Sequence, residues 1–260
     1  MCGRYVSIKS HSDLVTLFGV SELSAAELNE RGVALPSYNV APTQQVAIVI
    51  DQRDKATGAI ARAAAAARWG LVPSWARQIK GTPLINARVE SAATKASFRK
   101  AFAARRCVFP ALGYYEWNAF DEGQDRPRKQ AYYLHPISDT ASSFAGLYEW
   151  WRRPDATDND PDRWLLSATI LTTTATDLAC PDGDVHDRTP VMLPSDRVAA
   201  WLEPDLTDPA EVGHLLTGLA PPTLEARPVT PAVGNVGNDN PDLIEALPAA
   251  AAPPLDLAYM

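Results

Sequence analysis

The chain is poor in cysteine, with three in 260 residues, at positions 2, 107 and 180. So few, odd in number and far apart, they argue against a disulfide scaffold or a zinc-finger arrangement and for a reducing compartment. Long apolar runs are also missing. No stretch reaches the roughly 18 uninterrupted apolar residues of a membrane span, and no apolar segment follows Met1-Cys2-Gly3-Arg4-Tyr5 as it would in a secretory signal. The expected location is therefore cytoplasmic or nucleoid-associated, with no membrane partner. No metal-ligand cluster, P-loop or nucleotide-binding glycine loop occurs, so no metal and no cofactor is expected, and Gly234-Asn235-Val236-Gly237-Asn238 reads as a turn. Net positive charge is absent too. A balance of −7 weighs against nucleic-acid binding unless cations cluster locally. They do cluster, at 77–80, 95–106 and 126–129, while the acids gather in loop-like stretches at 51–54, 121–125, 155–162 and 182–187.

What is present is enough for one large core: 46% of residues are hydrophobic and 21% charged. The pattern predicts a short helix after Ser12 that ends at Gly19, and an apolar strand over 45–50. The alanine run 63–67 has helix propensity, yet it leads into Arg68-Trp69-Gly70-Leu71-Val72-Pro73, which favours a strand and turn. A basic helix is expected over 97–106, with β segments at 107–110 and 113–117. Further strands are expected at 131–135, 143–151, 164–173 and 223–229, and helices at 196–202 after Ser195 and at 208–216. Strands dominate and helices fall between them irregularly. That predicts an α+β fold in which a mostly antiparallel, barrel-like sheet carries peripheral helices. A single domain is expected over 1–240, with a disordered Pro/Ala-rich tail over 241–260. No oligomer signal appears, and a monomer is expected.

Cys2 is the first candidate for chemistry. Once Met1 is removed, one residue offers a free α-amine and a thiol on adjacent carbons. The amine, with an ordinary pKa of about 7.7–8.0, attacks an aldehyde to give a Schiff base. The neighbouring thiol then closes a five-membered thiazolidine in an intramolecular step. Position alone favours a plainer role, a small residue that permits methionine removal. Glu116 lies between Tyr115 and Trp117, where desolvation raises a carboxyl pKa and suits it to proton transfer; an exposed strand glutamate reads equally well. Asn86-Ala87-Arg88 is either an ordinary polar turn or an extended pair aimed one way, with an amide that donates and accepts and a guanidinium fit for phosphate. His186, flanked by Asp187 and Arg188, titrates in the range useful for a proton shuttle.

Longer motifs join these residues. They are Met1-Cys2-Gly3-Arg4-Tyr5, Tyr38-Asn39-Val40-Ala41-Pro42, Trp69-Gly70-Leu71-Val72-Pro73-Ser74-Trp75 and Ile85-Asn86-Ala87-Arg88-Val89-Glu90. Then come Gly113-Tyr114-Tyr115-Glu116-Trp117, Leu171-Thr172-Thr173-Thr174-Ala175, His186-Asp187-Arg188-Thr189-Pro190 and Ala232-Val233-Gly234-Asn235-Val236. In this order they resemble the SOS response-associated peptidase (SRAP) family of abasic-site-processing proteins, over nearly the whole chain. The resemblance implies covalent capture of the ring-opened aldehyde of an abasic site in single-stranded DNA, including at junctions with duplex, as a thiazolidine on Cys2. Lyase chemistry through the Schiff base and self-cleavage that exposes the cysteine accompany it; here self-cleavage would remove only Met1. It also implies that Asn86 lies near the nucleophile and that Glu116 and His186 transfer protons, with Thr173 or Thr174 orienting His186 or the substrate. The expected DNA contacts are Arg4, Asn39, Arg88 and Arg188, with Lys80 or Arg99 as further candidates. Pro42, Trp69 and Trp75 are expected to stack on or wedge between bases, although core packing is the commoner fate of tryptophan and at least one should be core. Two rivals remain: an N-terminal cysteine peptidase acting in trans, and a non-catalytic single-stranded DNA-binding module.

Overall fold

The computed structural model describes residues 2–54, 56–120, 128–138, 141–175, 187–220 and 223–248. Strand β1 (Tyr5–Ser7) is followed by helices α1 (His11–Phe18) and α2 (Glu22–Glu30), then β2 (Gln45–Arg53), β3 (Ile60–Trp69) and the short β4 (Asn86–Arg88). Helices α3 (Val89–Ala92) and α4 (Arg99–Ala104) lead into the long β5 (Arg106–Phe120), then β6 (Arg128–Pro136), β7 (Ser142–Arg152) and β8 (Trp164–Thr174). The chain continues as β9 (Arg188–Pro190), β10 (Met192–Leu193), α5 (Ser195–Leu202), α6 (Pro209–Leu215) and β11 (Leu224–Val229).

Five strands close on themselves. β2 pairs with β3, β3 with β8, β8 with β7, β7 with β5, and β5 returns to β2. Among the described residues only β3–β8 and β4–β8 run parallel, so the expected α+β, mostly antiparallel barrel is what forms. Closure gives the sheet two chemically different faces. Val46, Ile48, Ile50, Ala67, Trp69, Phe109, Phe144 and Ile170 fill the interior. The outward residues Val49, Ala64, Val108 and Leu147 share a second cluster with Leu14, Leu28, Phe102 and Trp201 from the helices. Strand alternation produces both sets from one sequence. A third cluster, with Tyr115, Tyr133 and Val229, covers the far side of β5, β6 and β11.

Three local expectations shift. The first helix is capped by Ser10, whose side chain accepts from the Asp13 amide, rather than by Ser12. The basic helix is shorter than expected, at Arg99–Ala104. The expected tail begins later than 241, because Pro241–Ile244 forms a 3-10 turn that buries Leu243 in the third cluster; residues 249–260 lie outside the described residues. Among the described residues no helix is long and apolar enough to cross a membrane.

Candidate active site

A bulge in β5 aims the site. Ser7 pairs with Ala111 and Val6 with Gly113, so Leu112 is an extra residue on β5. An extra residue flips the parity of everything after it. Before the bulge the odd-numbered Cys107, Phe109 and Ala111 face the interior; after it Tyr114 does, with Tyr115 on the opposite face. Glu116 therefore shares the interior side with Tyr114. Gly113 is required here, since a Cβ would sit 2.5 Å from the Leu134 carbonyl oxygen and 2.6 Å from the Tyr133 ring.

Cys2 packs at this end of the interior, fully buried in the unprocessed chain beside Tyr5, Trp69 and Tyr114. Its carbonyl accepts from Asn86 Nδ2 at 2.8 Å, and its Sγ lies 3.8 Å from the Arg4 carbonyl oxygen. Asn86 stands on β4, which pairs in parallel with β8 at Ile170. Its Oδ1 is buried and meets no donor among the described residues, so an acceptor is left unused on the same side chain. Burial pushes the Cys2 thiol well above its usual range, and the charge of Glu116 adds to the rise. Glu116 is itself buried, which drives its carboxyl up to about 7; the positive amino terminus pulls the other way and Asp187 adds a smaller rise. A carboxyl poised there holds and releases a proton near neutrality. The Asn86 amide and the Glu116 carboxyl thus both act on residue 2, which carries the thiol.

The other candidates separate into those that stay open and those tied into the fold. Arg88 is exposed and its side chain makes no hydrogen bond among the described residues, two positions from Asn86 along β4. Trp75 is 61% exposed and rims a cavity of about 400 Å³ with Arg77, Ile79 and Lys80. Arg99 is exposed and Pro42 half-buried. Trp69, by contrast, is core, with 0% exposure, an edge-to-face contact with Tyr5 at 5.3 Å and its Nε1 donating to the Ile85 carbonyl. Its expected stacking on DNA bases is therefore withdrawn. We expect Trp69→Ala to cost about 3–5 kcal/mol of stability in a thermal melt. Trp75→Ala should instead leave the melt unchanged and weaken single-stranded DNA binding by about 1–3 kcal/mol.

Arg188 was expected at phosphates but is buried and paired. It donates to both carboxylate oxygens of Glu90, at 2.8 and 3.0 Å, and to the Thr172 carbonyl at 2.6 Å. Thr174 Oγ1 accepts from the same guanidinium at 3.3 Å, while Thr173 lies opposite Thr189 in the β8–β9 pairing. Glu90 was not singled out, although it ends the Asn86 motif; only the fold shows that it meets a residue 98 positions away. Asn39 is buried and Arg4 half-buried, and they bond to each other and to backbone carbonyls. His186 lies outside the described residues.

A family profile described as SOS response associated peptidase (SRAP) matches residues 1–236. The chain belongs to that family. Among its SRAP relatives, the abasic site processing protein YoqW of Bacillus subtilis is 34% identical over 247 residues, covering 94% of this chain and 99% of the relative. The abasic site processing protein YedK of Escherichia coli is 26% identical over 251 residues, covering 94% and 99%. A crystal structure of a Bacteroides thetaiotaomicron protein superposes with a TM-score of 0.68 at 21% identity, covering 95% of this chain and 100% of that one, and shares the fold.

Proposed function

We propose that this SRAP-family chain processes abasic sites in single-stranded DNA, by capturing the ring-opened aldehyde on Cys2 after Met1 is removed. The observation that carries this reading is the convergence of Asn86, at 2.8 Å, and the carboxyl of Glu116, raised to about 7, on Cys2. The freed α-amine adds to the aldehyde carbon, and loss of water gives the imine. Glu116 moves protons for ring opening and for that dehydration, and His186 is the second proton carrier. The Cys2 thiol then adds across the C=N bond: sulfur bonds to carbon and the thiol proton ends on nitrogen. The open Oδ1 of Asn86 accepts from the attacking amine or the sugar hydroxyl. If the imine is left unclosed, β-elimination gives the lyase outcome. Exposure of the amine by self-cleavage belongs to the same reading and here costs one peptide bond, Met1–Cys2.

The exposed Trp75, Arg88, Lys80 and Arg99 and the half-buried Pro42 are the residues assigned to DNA on this reading. Electrostatic attraction is local, since the chain carries −7 overall. We expect Arg88→Ala to weaken binding and lower the slope of log K against log salt by about 1. The direct test mixes mature protein with a single-stranded oligonucleotide carrying one abasic site and with the same strand intact. A heat-stable shifted band with the abasic strand alone is the expected result. Equal bands with both strands would support the plain DNA-binding rival, and peptide cleavage with no band would support the peptidase.

A further inference from the structure

Two of the motifs, Tyr38–Pro42 and Ala232–Val236, have no place in the chemistry above, yet the structure joins them through one side chain. Arg4 Nη1 donates to Asn39 Oδ1 at 2.8 Å and to the Val233 carbonyl at 2.9 Å, while Nη2 reaches the Gly234 carbonyl at 3.3 Å. Asn39 is 1% exposed, and its Nδ2 donates to the carbonyls of Val233, Asn235 and Asn238 at 3.2, 3.0 and 2.8 Å. Next to them the Tyr38 amide donates to Asp239 Oδ1 and the Tyr115 hydroxyl to the Tyr38 carbonyl. A short 3-10 segment after β11, Pro231–Gly234, is thereby bolted to the amino-terminal strand.

The backbone of Arg4 faces the site. Its carbonyl oxygen accepts from the Tyr115 amide at 3.0 Å, and the Cys2 thiol lies 3.8 Å from it. Tyr115 immediately precedes Glu116. One residue thus bears on the thiol and the carboxylate strand by its main chain, and on the carboxy-terminal segment by its side chain.

We infer that Arg4 and Asn39 are positioning residues: together with residues 231–239 they form a latch that fixes where the Cys2 aminothiol sits relative to Asn86 and Glu116. The inference rests on the capture reading for what Cys2 does. It replaces the expectation that Arg4 and Asn39 touch DNA. An amino-terminal nucleophile has no chain ahead of it to hold it, so its placement depends on the residues directly behind it. The fork of Arg4 meets three acceptors in two directions, which a lysine reproduces only in part.

The test separates placement from grip. Single-turnover crosslinking at saturating abasic strand and the Kd for the intact strand, at several salt concentrations, are measured for Arg4→Ala, Arg4→Lys, Asn39→Ala and Asp239→Ala. Placement predicts a maximal rate about tenfold lower in Arg4→Ala and Asn39→Ala, as expected for a nucleophile misplaced by a fraction of an ångström. The Kd and salt slope should stay unchanged, and Arg4→Lys should recover part of the rate. Asp239→Ala, an exposed change that leaves Arg4, Asn39 and Cys2 intact, keeps the test valid if the others fold poorly; it should slow capture about twofold to threefold through the same looseness. Weaker Kd with a shallower salt slope and a normal maximal rate in Arg4→Ala would make Arg4 a phosphate ligand and overturn the latch. Normal rates in all the variants would overturn it as well. A Cys2→Ala protein that still crosslinks would instead refute the capture reading, whatever the latch variants show.

Discussion

Cys2→Ala should leave no heat-stable complex with an abasic strand in the absence of a reductant, while binding of the intact strand should persist. The more telling variant is Cys2→Ser. Like Cys2→Ala it keeps the α-amine after methionine removal, and it also keeps a hydroxyl in place of the thiol, so the Schiff base should still form and be trapped by borohydride. A serine hydroxyl is a poor nucleophile at neutral pH, and the closed ring is not reached. The imine then either hydrolyses or undergoes β-elimination, which breaks the strand. On the capture reading the parent protein closes the ring because the thiol is on the adjacent carbon, where effective concentrations reach about 10⁵–10⁸ M in well-oriented cases. A denaturing gel with and without borohydride separates the outcomes: a shielded strand in the parent, and, in both Cys2→Ser and Cys2→Ala, an imine held only after reduction together with strand breaks. A heat-stable band in Cys2→Ser without reduction would end the thiazolidine mechanism.

The sequence carried the barrel further than its local propensities allow. The alanine run would form a helix in isolation, yet β3 pairs residue for residue with β2 from Ile60 to Arg68. Its alternation places Ala67 and Trp69 inside and Ala64 outside, against α2. Trp69 two residues from Ala67 is therefore interior by strand parity, whereas Trp75, past the strand, is free to be exposed. What stayed hidden depends on distant partners. Arg4, Arg88 and Arg188 are equally plausible phosphate ligands by composition, but Arg4 meets carbonyls more than 200 positions away and Arg188 meets Glu90, leaving Arg88 open. The bulge at Leu112 has no sequence signature apart from the glycine that follows it, and without it Glu116 would face away from Cys2. Leu243 marks the tail as part of the third cluster only because Tyr133 and Val229 provide a surface for it.

Glu116→Gln should slow capture and, at the same time, stabilise the fold at neutral and alkaline pH. The slowing follows from the loss of a proton carrier, an effect of about 10²–10⁴ in rate. The stabilisation follows from where the carboxyl titrates. In the folded protein burial holds it at about 7, against a usual 4.5 in the unfolded chain. Between those values the folded state keeps a proton that the unfolded state has released. Stability from this group is therefore full below about pH 4.5, falls as pH rises to about 7 and is level above that, a loss of about 3 kcal/mol. Glutamine occupies the same volume without a charge to desolvate, so this component of the pH dependence disappears. Melting curves taken from pH 4.5 to 8 should separate progressively, with the variant several degrees higher at pH 8 and the two nearly coincident at the acid end. The capture rate should show the complementary pattern, with an inflection near pH 7 in the parent that is missing in Glu116→Gln. Parallel melting curves would mean that Glu116 titrates normally, and its place as a buried proton carrier beside Cys2 would then be lost. Such a protein tolerates a destabilising carboxylate at its working pH because the same desolvation that weakens the fold makes the group half-protonated where the reaction occurs.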